Sequence, residues 1–233
     1  KGNLYQYMLK YNINNVSHIT ADSEHVSAIL QRMSKSLLSI TVANFGIDIE
    51  QIDYDINKEN IIYSNRLHHP LYQIEKIITG FKRFLTTSEE KNWKLIIAGD
   101  GTNTSNLKQM VYDLMLTKQV EFVGWLDKNS NIDYYKRAKL FVSIPQSDAT
   151  SISLLEAMAY NCIPIVSDLP SNKEWISDNK NGVLVNNYSE NFIQQALEIN
   201  NATCLEFNKN LISRMATKSV NKEKFIKVYE SIL

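Results

Sequence analysis

The stretch Pro145–Asp168, PQSDATSISLLEAMAYNCIPIVSD, decides how the chain is read. FVSIP, which runs into it, is apolar and β-prone and stops at a proline, so a strand ends and a loop begins there. Asp148, Thr150, Ser151 and Ser153 then crowd the start of a run with helical spacing, Ile152, Leu155, Met158 and Ala159. Small hydroxyl and carboxylate residues are N-cap material, since their oxygens accept from the free N–H groups of the first turn. Asn161 suits a left-handed C-cap, and CIPIV returns to strand. Two carboxylates stand at opposite ends of this arrangement: Asp148 in the loop and Glu156 on the helix, eight residues on. Unpaired N–H groups at such a helix start can hold an anion, particularly a phosphate.

Working outward, the same alternation recurs. Val16–Ala21 reads as a strand, followed by a helix over 22–33 capped by Asp22 or Ser23 with Val26, Ile29, Leu30 and Met33 inward. LLSITVANFGID is a second strand that breaks at Asn44-Phe45-Gly46. NIIYSNRL is a strand stopping at Arg66, and the helix after it carries Ile74, Ile77, Ile78, Phe81 and Leu85 on one face. WKLIIAGDG is a buried strand ending in a Gly99–Gly101 turn, with a helix from Asn103 to Leu116 behind it. QVEFVGWL is a strand broken at Gly124, Asn131–Ala138 a short helix, and KLFVSIP the strand that leads into the opening stretch. Beyond it come a short helix at Pro170–Ile176, a strand NGVLV, a helix over 188–199, and a helical tail from Leu205. Residues 1–15 are rich in Tyr and Asn and carry no readable period. Strands alternating with helices across short connections imply a doubly wound Rossmann-like parallel sheet, whose ligands bind outside the carboxyl ends of the strands.

Composition excludes several classes. Twenty-five basic against twenty-five acidic residues leave no net charge to draw the chain to nucleic acid. No apolar run approaches the roughly 20 residues of a membrane span. Cys162 lies in an apolar strand and Cys204 in a polar tail, without paired spacing, so they read as cytosolic thiols. Asp53-Tyr54-Asp55 is a DxD string of the kind that binds a metal and a diphosphate elsewhere, but it lies in a polar linker and reads as a solvated loop. His68 and His69 read as solvent-facing loop residues.

An acidic residue, seven residues, then Glu in LLEAMA resembles the donor-site signature of the group 1 family of GT-B glycosyltransferases. Asn44, Gly46 and Asp48 resemble the family's Asn-x-Gly-x-Asp hinge turn, and Arg66-Leu67 its Gly-Arg-Leu. There are departures. Asp148 stands where the family usually has Glu, Asn65 where it has Gly, and no Lys follows Arg66 before Lys76. Five of the seven glycines, at 46, 99, 101, 124 and 182, fall at turns where the family places glycine.

The resemblance implies the C-terminal half of a GT-B enzyme: residues 1–36 as the remnant of an acceptor domain, 37–204 as the nucleotide-sugar donor domain, and 205–233 as a helical tail returning toward the first. It implies a retaining transferase of hexosyl type in polysaccharide or glycoconjugate synthesis, inactive in transfer on its own. Arg66, Asp148 and Glu156 would act on diphosphate, sugar and ribose, with Gly99, Gly101, Val123, Gly124, Thr150, Ser151, Ile152, Ser153 and Tyr72 as donor-binding residues. Trp125 is read either as a base contact or as plain packing. The expected partner is a UDP- or GDP-linked sugar, with no metal and no cofactor. The acceptor, a glycan, lipid-linked or protein, would come through the N-terminal domain. The expected location is the cytoplasm, with room for the full-length protein at the inner face of the membrane. A nucleotide-sugar epimerase of the same fold and a non-catalytic nucleotide-sugar-binding module stay open as alternatives.

Overall fold

The computed structural model describes residues 2–49 and 57–233, so the Asp53-Tyr54-Asp55 string lies outside the described residues. The chain divides into two compact units, one of residues 1–48 and 213–233 and one of residues 49–212.

The smaller unit opens with α1 (Gly2–Ile13), the stretch the sequence left unassigned, and continues through β1 (Ile19–Ala21), α2 (Glu24–Met33) and β2 (Ile40–Val42). Ser23 caps α2 by accepting from the Val26 N–H. β1 and β2 pair in parallel as a two-stranded sheet. So small a sheet covers little: none of α2 is buried, and Ile29, expected inward, is exposed.

The larger unit carries β3 (Glu59–Ser64), a 3-10 turn (Pro70–Tyr72), α3 (Ile74–Thr87), β4 (Lys94–Ala98), α4 (Thr104–Asp113), β5 (Val120–Gly124), α5 (Lys128–Arg137) and β6 (Ala138–Ser143). α6 (Ile152–Ala159), β7 (Ile163–Ser167), α7 (Pro170–Lys173), β8 (Val183–Val185) and α8 (Phe192–Glu198) follow. α9 (Asn201–Met215) spans the division, and α10 (Lys218–Ile232) returns to the smaller unit. The sequence reading divided the chain after 36 and before 205. The structure moves the first division to Asp48, because the strand at 40–42 pairs with β1, and the second to Ile212.

Among the described residues the six strands of the larger unit are all parallel, in the order β5-β4-β3-β6-β7-β8. Side chains alternate across such a sheet. Ile62, Leu95, Ile97, Leu140 and Val142 join the stripe of α3, Ile74, Ile77, Ile78, Phe81 and Phe84, in one core. Phe81 and Phe84 are fully buried and each contributes roughly 1.5–3 kcal/mol. Tyr63 and Phe141 face the other way, against the fully buried Tyr135 of α5. Lys58 Nζ donates to the carbonyls of Tyr135 (2.7 Å) and Tyr160 (2.6 Å), placing a cation at the C-terminal ends of α5 and α6.

The opening stretch folds as its residues dictate. Ser151 caps α6 by accepting from the Leu154 N–H. At the other end Asn161 takes a left-handed conformation (φ 62°), and the Asn161 and Cys162 N–H groups donate back to Met158 and Ala157. Both cysteines are free and buried. Cys204 is therefore not part of a polar tail, because α9 begins at Asn201 and turns this residue into the core.

Candidate donor site

β3 and β6 are neighbours in the sheet, but the chain leaves β3 toward β4 and leaves β6 toward β7. Ligands of such sheets bind at this switch, where the two loops diverge. Arg66 lies just past β3 and Asp148 and Ser151 lie past β6, so the topology brings them together. One Arg66 nitrogen donates to Asp148 Oδ2 at 2.6 Å and the other to Ser151 Oγ at 3.0 Å. Both ion-pair side chains keep some access to solvent, 13% and 21%. The Tyr72 ring lies 4.6 Å from the guanidinium carbon, so the tyrosine supplies a π-face to the Arg66 cation. Asp148, expected beside the sugar, is bonded here to Arg66. Ser171 Oγ and the Gln146 N–H fix its loop by donating to the carbonyls of Asp148 (2.9 Å) and Leu71 (2.8 Å).

Alongside lies a cavity of about 270 Å³ lined by Asn65, Ala98, Gly99, Trp125, Leu126, Lys128, Asn131, Ser153 and Glu156. Burial pushes the Glu156 carboxyl above the usual carboxylate range, and a hydrogen bond with Tyr135 and the charge of Lys128 oppose that push. Tyr135 is itself held well above the usual phenol range, first by burial and then by the nearby Glu156. The site thus pairs a guanidinium at one end with a partly desolvated carboxylate at the other. Such a pair suits a ligand with an anionic end and a hydroxyl-bearing end.

The glycine turn closes the cavity for a backbone reason. Gly99 has φ 102°, and a Cβ there would stand 2.6 Å from the Arg66 carbonyl oxygen. A Cβ on Gly101 would stand as close, 2.6 Å, to the His68 carbonyl oxygen. Between the same two loops the His68 N–H donates to Asp100 O (3.0 Å) and the Asn103 N–H to His68 O (2.9 Å). His68 is consequently buried, contrary to its reading as a solvent-facing residue. Its Nδ1 meets Thr104 Oγ1 at 2.8 Å, its ring lies edge-on to Phe122, and burial lowers its pKa. His69 is exposed and caps the 3-10 turn.

Of the residues singled out in the sequence, Gly99, Ser153 and Glu156 line the cavity, and Arg66, Asp148, Ser151 and Tyr72 form the adjoining charged corner. Gly124, at the end of β5, accepts from the Gly99 N–H at 2.7 Å. Val123, Thr150 and Ile152 are half-buried and do not line the cavity, and Gly101 packs against the His68 backbone outside it. Trp125 is 71% exposed and lines the cavity, which rules out its reading as packing. Sequence reasoning missed Asn65, Lys128, Asn131 and Tyr135 as parts of the site. Asn65 had been marked only as a departure from glycine. Among the described residues no group of three or more His, Cys, Asp or Glu is placed to hold a metal, and no helix is long and apolar enough to cross a membrane.

With this geometry in place, comparison with known proteins is informative. Residues 45–214 match the family described as "Glycosyl transferases group 1". The chain is 31% identical over 111 residues to the alpha-monoglucosyldiacylglycerol synthase of Streptococcus pneumoniae, 48% of this chain and 25% of that protein. It is 25% identical over 201 residues to the poly(ribitol-phosphate) alpha-N-acetylglucosaminyltransferase of Staphylococcus aureus, 82% of this chain and 39% of that one. The pneumococcal O-GlcNAc transferase GtfA, solved in complex with UDP and GlcNAc, has the same fold at a TM-score of 0.82 and 16% identity, over 99% of this chain and 48% of its own. The chain thus spans less than half the length of each of these three proteins, from 25% to 48%.

Proposed function

This chain belongs to the group 1 glycosyltransferase family, and on that premise we propose that its larger unit binds a nucleoside-diphosphate sugar for a retaining sugar transfer. The observation that carries the reading is the pairing of Arg66 at the sheet's switch point with the Glu156 cavity beside it. The diphosphate would take the Arg66 fork together with the N–H groups around Thr150–Ser153 at the start of α6, and the ribose hydroxyls would donate to Glu156. Departure of the nucleoside diphosphate breaks the bond between the anomeric carbon and a phosphate oxygen, and the electron pair leaves on that oxygen. Arg66 and the helix start stabilise the charge as it develops. The acceptor oxygen then bonds the same face of the sugar and gives up its proton to the departing phosphate. Asp148, released from Arg66, would turn toward the sugar.

A UDP-bound neighbour of the same fold makes UDP the first ligand to try, with GDP and ADP beside it. Calorimetry should show one site for at least one of the three, unchanged by EDTA. Three flat traces at millimolar ligand would sink the reading, and a strict Mn²⁺ requirement would return attention to Asp53 and Asp55. Transfer itself needs an acceptor held against the donor, the positioning that makes the reaction effectively unimolecular. The chain alone should show slow donor hydrolysis at most, and the acceptor, a glycan, lipid-linked or protein, belongs to the full-length enzyme. Efficient transfer by this chain to an added acceptor would overturn that division of labour.

A further inference from the structure

Behind Glu156 runs a line of hydrogen bonds that the donor contacts do not account for. Asn131 Nδ2 donates to the carbonyls of Leu126 (3.2 Å) and Asp127 (3.0 Å), which fixes its amide with Oδ1 facing Tyr63 and Asn65. That oxygen accepts from Tyr63 Oη at 2.6 Å and from Asn65 Nδ2 at 3.0 Å. Asn65 Nδ2 also donates to Tyr135 Oη at 2.8 Å. The Tyr135 phenol also lies beside Ser153 and Glu156, close enough to act on the titration of that carboxyl. With Asn65 donating to it, the phenol keeps its own proton to offer the Glu156 carboxylate. The phenol cannot drift, because its ring is fully buried, edge-on to Tyr63 and stacked on Tyr160, and its own carbonyl accepts from Lys58. A glycine at 65 would offer no side-chain amide, so the line depends on Asn65.

We propose that Asn65 and Tyr135 are positioning residues of the donor site, holding the Glu156 carboxylate at the angle from which it accepts the ribose hydroxyls of a nucleoside diphosphate. The proposal rests on the reading of Glu156 as the ribose acceptor. Besides Tyr135, the groups that act on Glu156 are Lys128 at the start of α5 and Tyr63 on β3, both of which stay in place when Tyr135 loses its hydroxyl. Burial would then act on the carboxyl without the opposing hydrogen bond, so Glu156 would take up its proton at a higher pH. Affinity that depends on the carboxylate should therefore fail earlier as pH is lowered.

The test is calorimetry with UDP, GDP and pyrophosphate between about pH 5 and 8. It compares wild type, Tyr135→Phe, Asn65→Gly and Glu156→Gln, with Tyr135→Phe also on the Glu156→Gln background. Tyr135→Phe should weaken the nucleoside diphosphate about three- to tenfold, more at the acid end, and leave pyrophosphate unchanged. Asn65→Gly should move in the same direction by less. On the Glu156→Gln background Tyr135→Phe should add nothing. The ligand's own phosphate titration is common to all the variants and cancels in the comparison. A Tyr135→Phe profile parallel to wild type, or an equal loss on the Glu156→Gln background, overturns the proposal and leaves the ribose reading standing. If Glu156→Gln alone binds as wild type does, the ribose reading falls and takes this proposal with it.

Discussion

At the end of β3 the Arg66 guanidinium meets a carboxylate at 2.6 Å, whereas in the cavity alongside the Glu156 carboxylate meets a phenol. The first corner is closed by opposite charges that both keep some access to water. The second sets a half-buried acid against a neutral phenol, with the charge of Lys128 nearby. A diphosphate carries the same charge as Asp148 and can take over its place on Arg66, so the first corner works by exchange. Glu156 meets a phenol and feels the charge of Lys128, and a hydroxyl donor can join these without taking over a place that another anion holds, so the second corner works by addition. The two halves of one binding site should therefore respond to substitution in different ways.

The largest effect is expected at Arg66. Arg66→Ala removes the charged fork and should lower nucleoside diphosphate affinity by about 3 kcal/mol, on the order of a hundredfold, while the bare nucleoside is unaffected. Calorimetry with both ligands checks this, and an equal loss for the nucleoside would erase the distinction between the corners. Glu156→Gln comes next, at roughly 1.5–3 kcal/mol or about ten- to a hundredfold, for the nucleoside and its diphosphate alike. It also has a signature in stability. Burial raises the folded-state pKa of Glu156, so its stabilising contribution is full below the ordinary carboxylate value and is lost as pH rises through the folded value. Against wild type, Glu156→Gln should melt higher at about pH 8 and show no such gain at about pH 4. A melting difference independent of pH would count against the burial argument.

Asp148→Asn is the smallest and most discriminating. The sequence alone places Asp148 at the sugar, with no bearing on the nucleoside diphosphate. The bond to Arg66 changes that expectation, because a ligand no longer competes with a carboxylate. Nucleoside diphosphate binding should tighten by about 0.5–1 kcal/mol, roughly two- to fivefold, as for a partly exposed ion pair. Transfer in the full-length enzyme should fall even so. Weaker binding of the nucleoside diphosphate would show that Asp148 supports Arg66 and does not compete for it.

What the sequence showed and what it hid divide along physical lines. The stripe of α3 was legible because helical spacing and burial coincide over several turns. Ser151 and Asn161 were legible because capping is local chemistry. The stripe of α2 was real, but periodicity says only that a helix has an apolar face, not that a layer large enough to cover it exists. α1 lacked even that signal. His68 looked like a loop residue and is buried by a clasp with a turn more than thirty residues later in the chain. Asn65, Asn131 and Tyr135 were invisible as a group because the bonds joining them cross 66 and 70 residues of sequence. No local pattern encodes such a meeting. Only the strand order creates it.

The clasp between the Arg66 loop and the Gly99–Gly101 turn has a consequence for how fast a ligand enters. Arg66 is anchored through backbone that cannot move without carrying the turn with it, since the Arg66 and His68 carbonyls fill the space a Cβ on Gly99 or Gly101 would need and backbone hydrogen bonds join the two loops. Asp148 is tied by its backbone as well, to Ser171. What must yield on ligand arrival is the Asp148 side chain, and a side chain that keeps some access to solvent turns faster than a loop opens. Association should then be paced by diffusion and steering, with observed rates that climb in proportion to ligand concentration and never level off in stopped flow. A plateau in those rates would mean that a loop has to open first. The interlocked carbonyls argue that none does.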